Sequence, residues 1–159
     1  MKKALVAYFS ATGNTKMLAE TLQKAIGADL FEIVPAQVYT DEDLNWHNDN
    51  SRSSIEMKDK NARPKIKNKI ESMGEYQIIF LGFPIWWYTA PRIIDTFLES
   101  YDFSGKTIVP FATSGSSEMD DISDSLKETC NGKANFMKGK RFADYDVSFL
   151  KKWVDSLNI

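Results

Sequence analysis

The chain has 159 residues, 43% of them hydrophobic and 26% charged, which suits one globular domain with one core and excludes disordered and fibrous classes. A net charge of −2 gives no strongly basic face, so no nucleic-acid partner is expected. Single copies of cysteine (Cys130) and histidine (His47) exclude an intramolecular disulfide, a cysteine metal site and any mechanism that needs two histidines.

The first apolar run, Ala4-Leu5-Val6-Ala7-Tyr8-Phe9, predicts a buried strand over about 3–9. The apolar stretch is too short for a secretory signal or a membrane span, so no membrane partner and a cytoplasmic location are expected. Leu18, Leu22, Ala25 and Ile26 then recur at helical spacing, predicting a helix over 14–26 that Gly27 closes. Between strand and helix lies Ser10-Ala11-Thr12-Gly13-Asn14-Thr15. A helix N-terminus there offers free amides and the positive end of the helix dipole, a combination that binds phosphate. The hydroxyls of Ser10, Thr12 and Thr15 and the amide of Asn14 add neutral donors. The loop has one glycine and no Lys-Ser/Thr pair, so it is neither a Walker loop nor a dinucleotide fingerprint. An ordinary βα turn is the alternative, because Ser and Thr are common caps.

A second strand is expected over 29–34, ended by Pro35. The stretch 36–64 is polar and too long for a usual βα connection. It carries Tyr39, Trp46 and His47, so local order is expected, and it could serve as a lid or an interface. A helix is predicted over 65–73. The third strand, 77–83, is the most hydrophobic and reads as central. It runs into Pro84-Ile85-Trp86-Trp87-Tyr88-Thr89-Ala90-Pro91. Three successive aromatic side chains cannot all enter one core, so either a ring stacks on a flat ligand or the tryptophans pack under the insertion. A helix starting at Pro91 buries Ile93, Ile94, Phe97 and Leu98.

The fourth strand, 107–112, leads into Thr113-Ser114-Gly115-Ser116-Ser117, a small loop whose glycine lets backbone approach a ring or which simply caps the next helix. That helix is predicted over 118–129 and ends at Asn131-Gly132. A short fifth strand falls at 134–137 or 141–143. The last helix, 146–157, places Leu150, Trp153, Val154 and Leu157 in the core. Cys130 reads as inert and His47 as a solvated loop residue.

Strands alternating with helices predict an α/β fold with a parallel sheet, and in the order 2-1-3-4-5 a ligand binds at the C-terminal edge between strands one and three. The three loops therefore become neighbours. Together, Ser-x-Thr-Gly-Asn-Thr after strand one, the Trp-Trp loop and the Thr-Ser-Gly loop resemble the flavodoxins over essentially the whole chain. The resemblance implies a single-domain flavodoxin-like three-layer sandwich, with a five-stranded parallel sheet in the order 2-1-3-4-5 and helices on both faces. It implies one non-covalent FMN. Its phosphate would rest on Ser10, Ala11, Thr12, Gly13, Asn14 and Thr15, and its ring between Pro84, Ile85, Trp86, Trp87, Tyr88 and Thr113, Ser114, Gly115, Ser116. It implies no catalytic side chain and no metal. The expected role is low-potential electron transfer between redox protein partners, a reductase and an acceptor, by a monomer or weak dimer. The alternative is an FMN-dependent NAD(P)H oxidoreductase acting on quinones, nitro or azo compounds. A response-regulator receiver would need acidic residues after strand one, where this chain has Phe9-Ser10-Ala11. Two departures from the family pattern stand out. Tyr88 occupies a position where relatives often carry glycine, and the charge is nearly balanced where flavodoxins are usually acidic.

Overall fold

A computed structural model describes residues 2–114, 119 and 121–159. Five buried residues form β1 (Ala4–Tyr8). It pairs in parallel with β2 (Asp29–Glu32) on one side and β3 (Ile78–Pro84) on the other. β3 pairs in parallel with β4 (Thr107–Thr113). Two short strands, β5 (Asn135–Phe136) and β6 (Lys140–Phe142), share the far edge of β4, β5 along Thr107–Ile108 and β6 along Phe111–Thr113. The order is thus β2-β1-β3-β4-β5, with β6 beside β5 in the fifth position. The two alternatives for the fifth strand both exist, as consecutive pieces of one edge.

Alternate residues of the central strands feed two cores. On one face Val6, Tyr8, Phe80, Val109 and Phe111 pack against Leu18 and Leu22 of α1 (Asn14–Ile26) and Leu150 and Val154 of α5 (Val147–Ser156). On the other, Leu5, Ala7, Ile79 and Leu81 meet Ile93, Ile94 and Phe97 of α3 (Arg92–Glu99) and Ile122 and Leu126 of α4 (Ile122–Thr129). Each such aliphatic side chain contributes about 1.5–3 kcal/mol on burial. Trp153 stands edge-on to Phe142, ring centroids 5.0 Å apart, as its helical spacing predicts. Gly82 is required where it stands, because a β-carbon there would meet the Phe111 ring at 2.3 Å.

The segment 65–73 forms no α-helix; only a 3-10 turn begins at its end, over Met73–Glu75. Its amides and carbonyls are used elsewhere: the Ala36 amide donates to the Lys65 carbonyl, and the Lys67 amide to the Val34 carbonyl. The Asn68 side chain both accepts from the Val34 amide and donates to the Glu32 carbonyl. β2 ends two residues short of the expected strand, and the chain just beyond it, at 34–36, pairs with this extended segment. The helix of this region lies earlier, α2 (Arg52–Lys58), inside the polar insertion, with the Ser51 hydroxyl accepting from the Ser54 amide. Seven residues are too few to show a periodic apolar stripe. Among the described residues α4 starts at Ile122 rather than at 118, after Asp121 in a left-handed conformation.

Candidate functional site

The C-terminal ends of β1, β3, β4 and β6 converge on one cleft of about 530 Å³. Its described lining comprises Thr12, Asn14 and Met17 from the first loop and α1, Pro84, Ile85 and Trp86 after β3, Thr113 and Ser114 after β4, and Phe142, Ala143 and Tyr145 between β6 and α5. The three loops expected to meet do meet. Gly115 and Ser116 lie outside the described residues.

The first loop is built around Ser10. Its hydroxyl oxygen accepts from the amides of Gly13 and Lys16, both at 3.1 Å, and so curls the chain about the start of α1. Gly13 has φ 95°, a left-handed value that a side chain would resist. It supplies no side-chain cap, so the amides of Asn14 and Thr15 in the first turn have no intrahelical acceptor. Thr12 and Asn14 are exposed at the cleft, whereas Thr15 is only 1% exposed. The Thr15 hydroxyl lies 2.8 Å from that of Thr113 and fastens the first loop to the third. Ala11 packs on the core rather than lining the cleft.

The second and third loops are tied together as well, because the Ile85 amide donates to the Thr113 carbonyl at 3.0 Å. Trp86 and Thr89 exchange both backbone hydrogen bonds, at 2.9 and 3.0 Å, across a two-residue turn. Trp87 and Tyr88 occupy that turn with φ 46° and 65°. Two positive values in succession make it the hairpin turn that normally takes Asn-Gly. Both rings face outward, Trp87 43% and Tyr88 81% exposed, and neither lines the cleft. Trp86 points inward, edge-on to Phe9 at 5.7 Å and to Tyr39 of the insertion at 5.6 Å between ring centroids. Of the two tryptophans, Trp86 packs against the insertion and also lines the cleft, whereas Trp87 does neither.

Sequence reasoning missed the fourth wall. Phe142, Ala143 and Tyr145 reach the cleft because β6 aligns Phe142 with Thr113. The only signal was the placement of a short fifth strand at 134–137 or 141–143. Burial holds the Tyr145 phenol above its usual pKa, so it remains a hydrogen-bond donor at neutral pH. Arg141 donates to the Ser114 carbonyl at 3.3 Å behind the third loop. The described lining holds no Asp, Glu, Lys, Arg, His or Cys, and its hydroxyls from Thr12, Thr113, Ser114 and Tyr145 have none of these beside them in the lining to activate them. Among the described residues no cluster could hold a metal ion, and no helix is long and apolar enough to cross a membrane. Cys130 is buried and its thiol pushed up to about 11, by burial first and then by Asp95. His47 is exposed, stacked on Trp46 at 3.7 Å.

Neutral amides at one end of a cleft and an indole at the other suit a flat ligand that carries an anionic tail. Comparison with known families agrees, for a flavodoxin model matches residues 3–157. The chain belongs to the flavodoxin family. Among solved structures, this flavodoxin-family chain is similar to a candidate flavoprotein from Bacteroides eggerthii, at 48% identity over 100% of this chain and 99% of that one, with a TM-score of 0.95. It is also similar to a flavoprotein from Lactobacillus acidophilus solved in complex with FMN, at 25% identity over 97% and 99% of the two chains, TM-score 0.72. Flavodoxin 2 from Bacillus cereus, at 17% identity over 98% and 97% and TM-score 0.58, shares the fold. No curated protein matches the chain.

Proposed function

We propose that this chain binds one FMN non-covalently and serves as a low-potential electron carrier between redox protein partners. The observation that carries the reading is the cleft in which the free first-turn amides of α1 and the indole of Trp86 face one space whose described lining holds no carboxylate, imidazole, thiol or cationic side chain. FMN suits these residues. The amides of Asn14 and Thr15 and the side chains of Thr12 and Asn14 offer a phosphate only neutral donors. Pro84, Ile85 and Trp86 on one side, and Thr113 and Ser114 on the other, border the space for a ring. About 530 Å³ lies within the usual range for small-molecule sites. The Lactobacillus relative with FMN supports the same assignment.

When bound, FMN would supply the redox chemistry. The chain's own residues bind, orient and exclude water. Ser10 and Thr15 keep the first loop in shape, one through two amides and the other through Thr113. Trp86 forms an apolar wall. A described lining without cations gives no compensation for added negative charge, so electron acceptance in the cleft should be harder than in water. A described lining without a carboxylate, imidazole or amine fits a carrier better than an enzyme that turns over quinones, nitro or azo compounds.

The deciding experiment is an absorbance spectrum of the purified protein, chromatography of the flavin released on heating, and reductive titration. Visible flavin bands, released FMN and a lower second potential than that of free FMN are expected. A colourless protein that takes up no added FMN would remove the reading. Steady NAD(P)H oxidation with a quinone would replace the carrier with the reductase.

A further inference from the structure

The insertion between β2 and β3 reaches the cleft through a closed set of three side chains. Tyr39 is buried against Phe9 and Trp86, at 5.6 Å from each ring centroid. Its hydroxyl donates to Glu56 Oε1 at 2.5 Å. Arg52, one turn earlier on α2, donates through Nε to the other oxygen of the same carboxylate at 3.0 Å. The Arg52 guanidinium also lies over the Tyr39 ring, 3.7 Å from its centroid. A second donor of Arg52 reaches the Gln37 carbonyl at 2.8 Å, on the segment that carries Tyr39. The ring is therefore gripped on its face by a cation, at its hydroxyl by a carboxylate and at its edges by Phe9 and Trp86. Partly desolvated cation–ring contacts and charge-assisted hydrogen bonds rank among the stronger polar interactions. Arg92 of α3 anchors the far end of α2 by donating to the carbonyls of Met57 and Asp59, at 2.9 and 3.1 Å. Such a segment is built to stay in place.

We infer that Tyr39 is a positioning residue for the cofactor cleft, and that the insertion is a fixed brace which, through Arg52, Glu56 and Tyr39, holds Trp86 in its binding orientation. This rests on the FMN reading above. Tyr39 does not line the cleft itself, so its effect must pass through Trp86. The alternative for an indole is outward rotation, as its neighbour Trp87 shows. A ring held in one orientation before binding does not have to be ordered on binding, which tightens the complex.

A double-mutant cycle on the full chain tests this, with FMN affinity read by flavin fluorescence. Tyr39→Leu should weaken binding about tenfold when Trp86 is present and less than about twofold when Trp86 is already Leu. Tyr39→Phe, which keeps the ring against Trp86, should recover most of the loss. The visible flavin spectrum should shift in Tyr39→Leu and not in Tyr39→Phe, a readout that a general loss of stability would not move. Arg52→Met goes through the same cycle in case Tyr39→Leu fails to fold, and should show the same dependence on Trp86. Losses that are equal with and without Trp86 would overturn the inference and leave FMN binding intact. An unsubstituted chain that binds no FMN would overturn both.

Discussion

Thr12 presents its hydroxyl to the cleft, and no described residue claims it. Thr12→Ala should therefore weaken FMN about tenfold, the size of one hydrogen bond to a charged group, and leave riboflavin binding unchanged. Parallel fluorescence titrations with the two flavins check it, and equal losses would move the phosphate away from this loop. Tyr88 is the opposite kind of residue, for its side chain is almost fully solvated while its backbone is left-handed. A left-handed bulky residue costs about 1–2 kcal/mol, and glycine gives back about 0.5–1 through chain entropy. Tyr88→Gly should thus stabilise the protein by about 0.5–1 kcal/mol, about 2 °C in Tm by calorimetry. A lower Tm would show that the exposed ring makes a contact worth keeping. The phosphate-type loop could be found from Ser10, Gly13 and Asn14 alone because its geometry is local, set by a strand end, one left-handed glycine and a helix start. The contact between Tyr39 and Trp86 could not, because the two residues are 47 positions apart in the chain and nothing in either neighbourhood names the other.

At the scale of elements, α3 and α4 meet over a buried charge. Asp95 accepts from the Thr129 hydroxyl at 2.7 Å and has Arg92 at 3.9 Å. Burial raises its carboxyl above the usual value, outweighing the lowering by Thr129, Arg63 and Arg92. The folded state then binds a proton more tightly than the unfolded chain, so this group's contribution to stability falls as pH rises from the ordinary carboxylate value through the raised one. Asp95→Asn keeps an acceptor for Thr129 and should be more stable than the parent at pH 7, with the gap closing toward pH 4. Urea titrations at several pH values check the sign, and a variant less stable at pH 7 would mean that the ion pair with Arg92 outweighs burial. The elements themselves were readable where they are long. The helix at 14–26 announces itself by periodicity and the three central strands by continuous apolar runs, whereas α2 does neither. The segment 65–73 misleads because Asn68 and the carbonyl of Lys65 serve β2 from a distance, which no local pattern reveals.

For the whole molecule, a cofactor that binds only the folded state should raise stability by mass action. FMN at a hundredfold excess over its Kd should add about 2.7 kcal/mol, roughly 5–10 °C in Tm for a domain of this size. Thermal scans across a range of FMN concentrations should show a steady climb, and a flat series would mean that the folded chain has no such site. The parallel sheet was legible in the alternation of strands and helices, whereas its order came from the resemblance to flavodoxins. The cleft's fourth wall was not, because it depends on β6 drawing level with the end of β4.

The broken outer edge of the sheet has a further consequence. An edge strand exposes unpaired amides and carbonyls, and a long one can recruit the same edge of another molecule. Here that edge is divided into pieces of two and three residues, separated by three residues that end at the left-handed Gly139, and the second carries Lys140 and Arg141. Neither piece is long enough to template a foreign strand. The interruption that carries Phe142 and Tyr145 to the cleft thus also leaves this edge a poor template for edge-to-edge pairing.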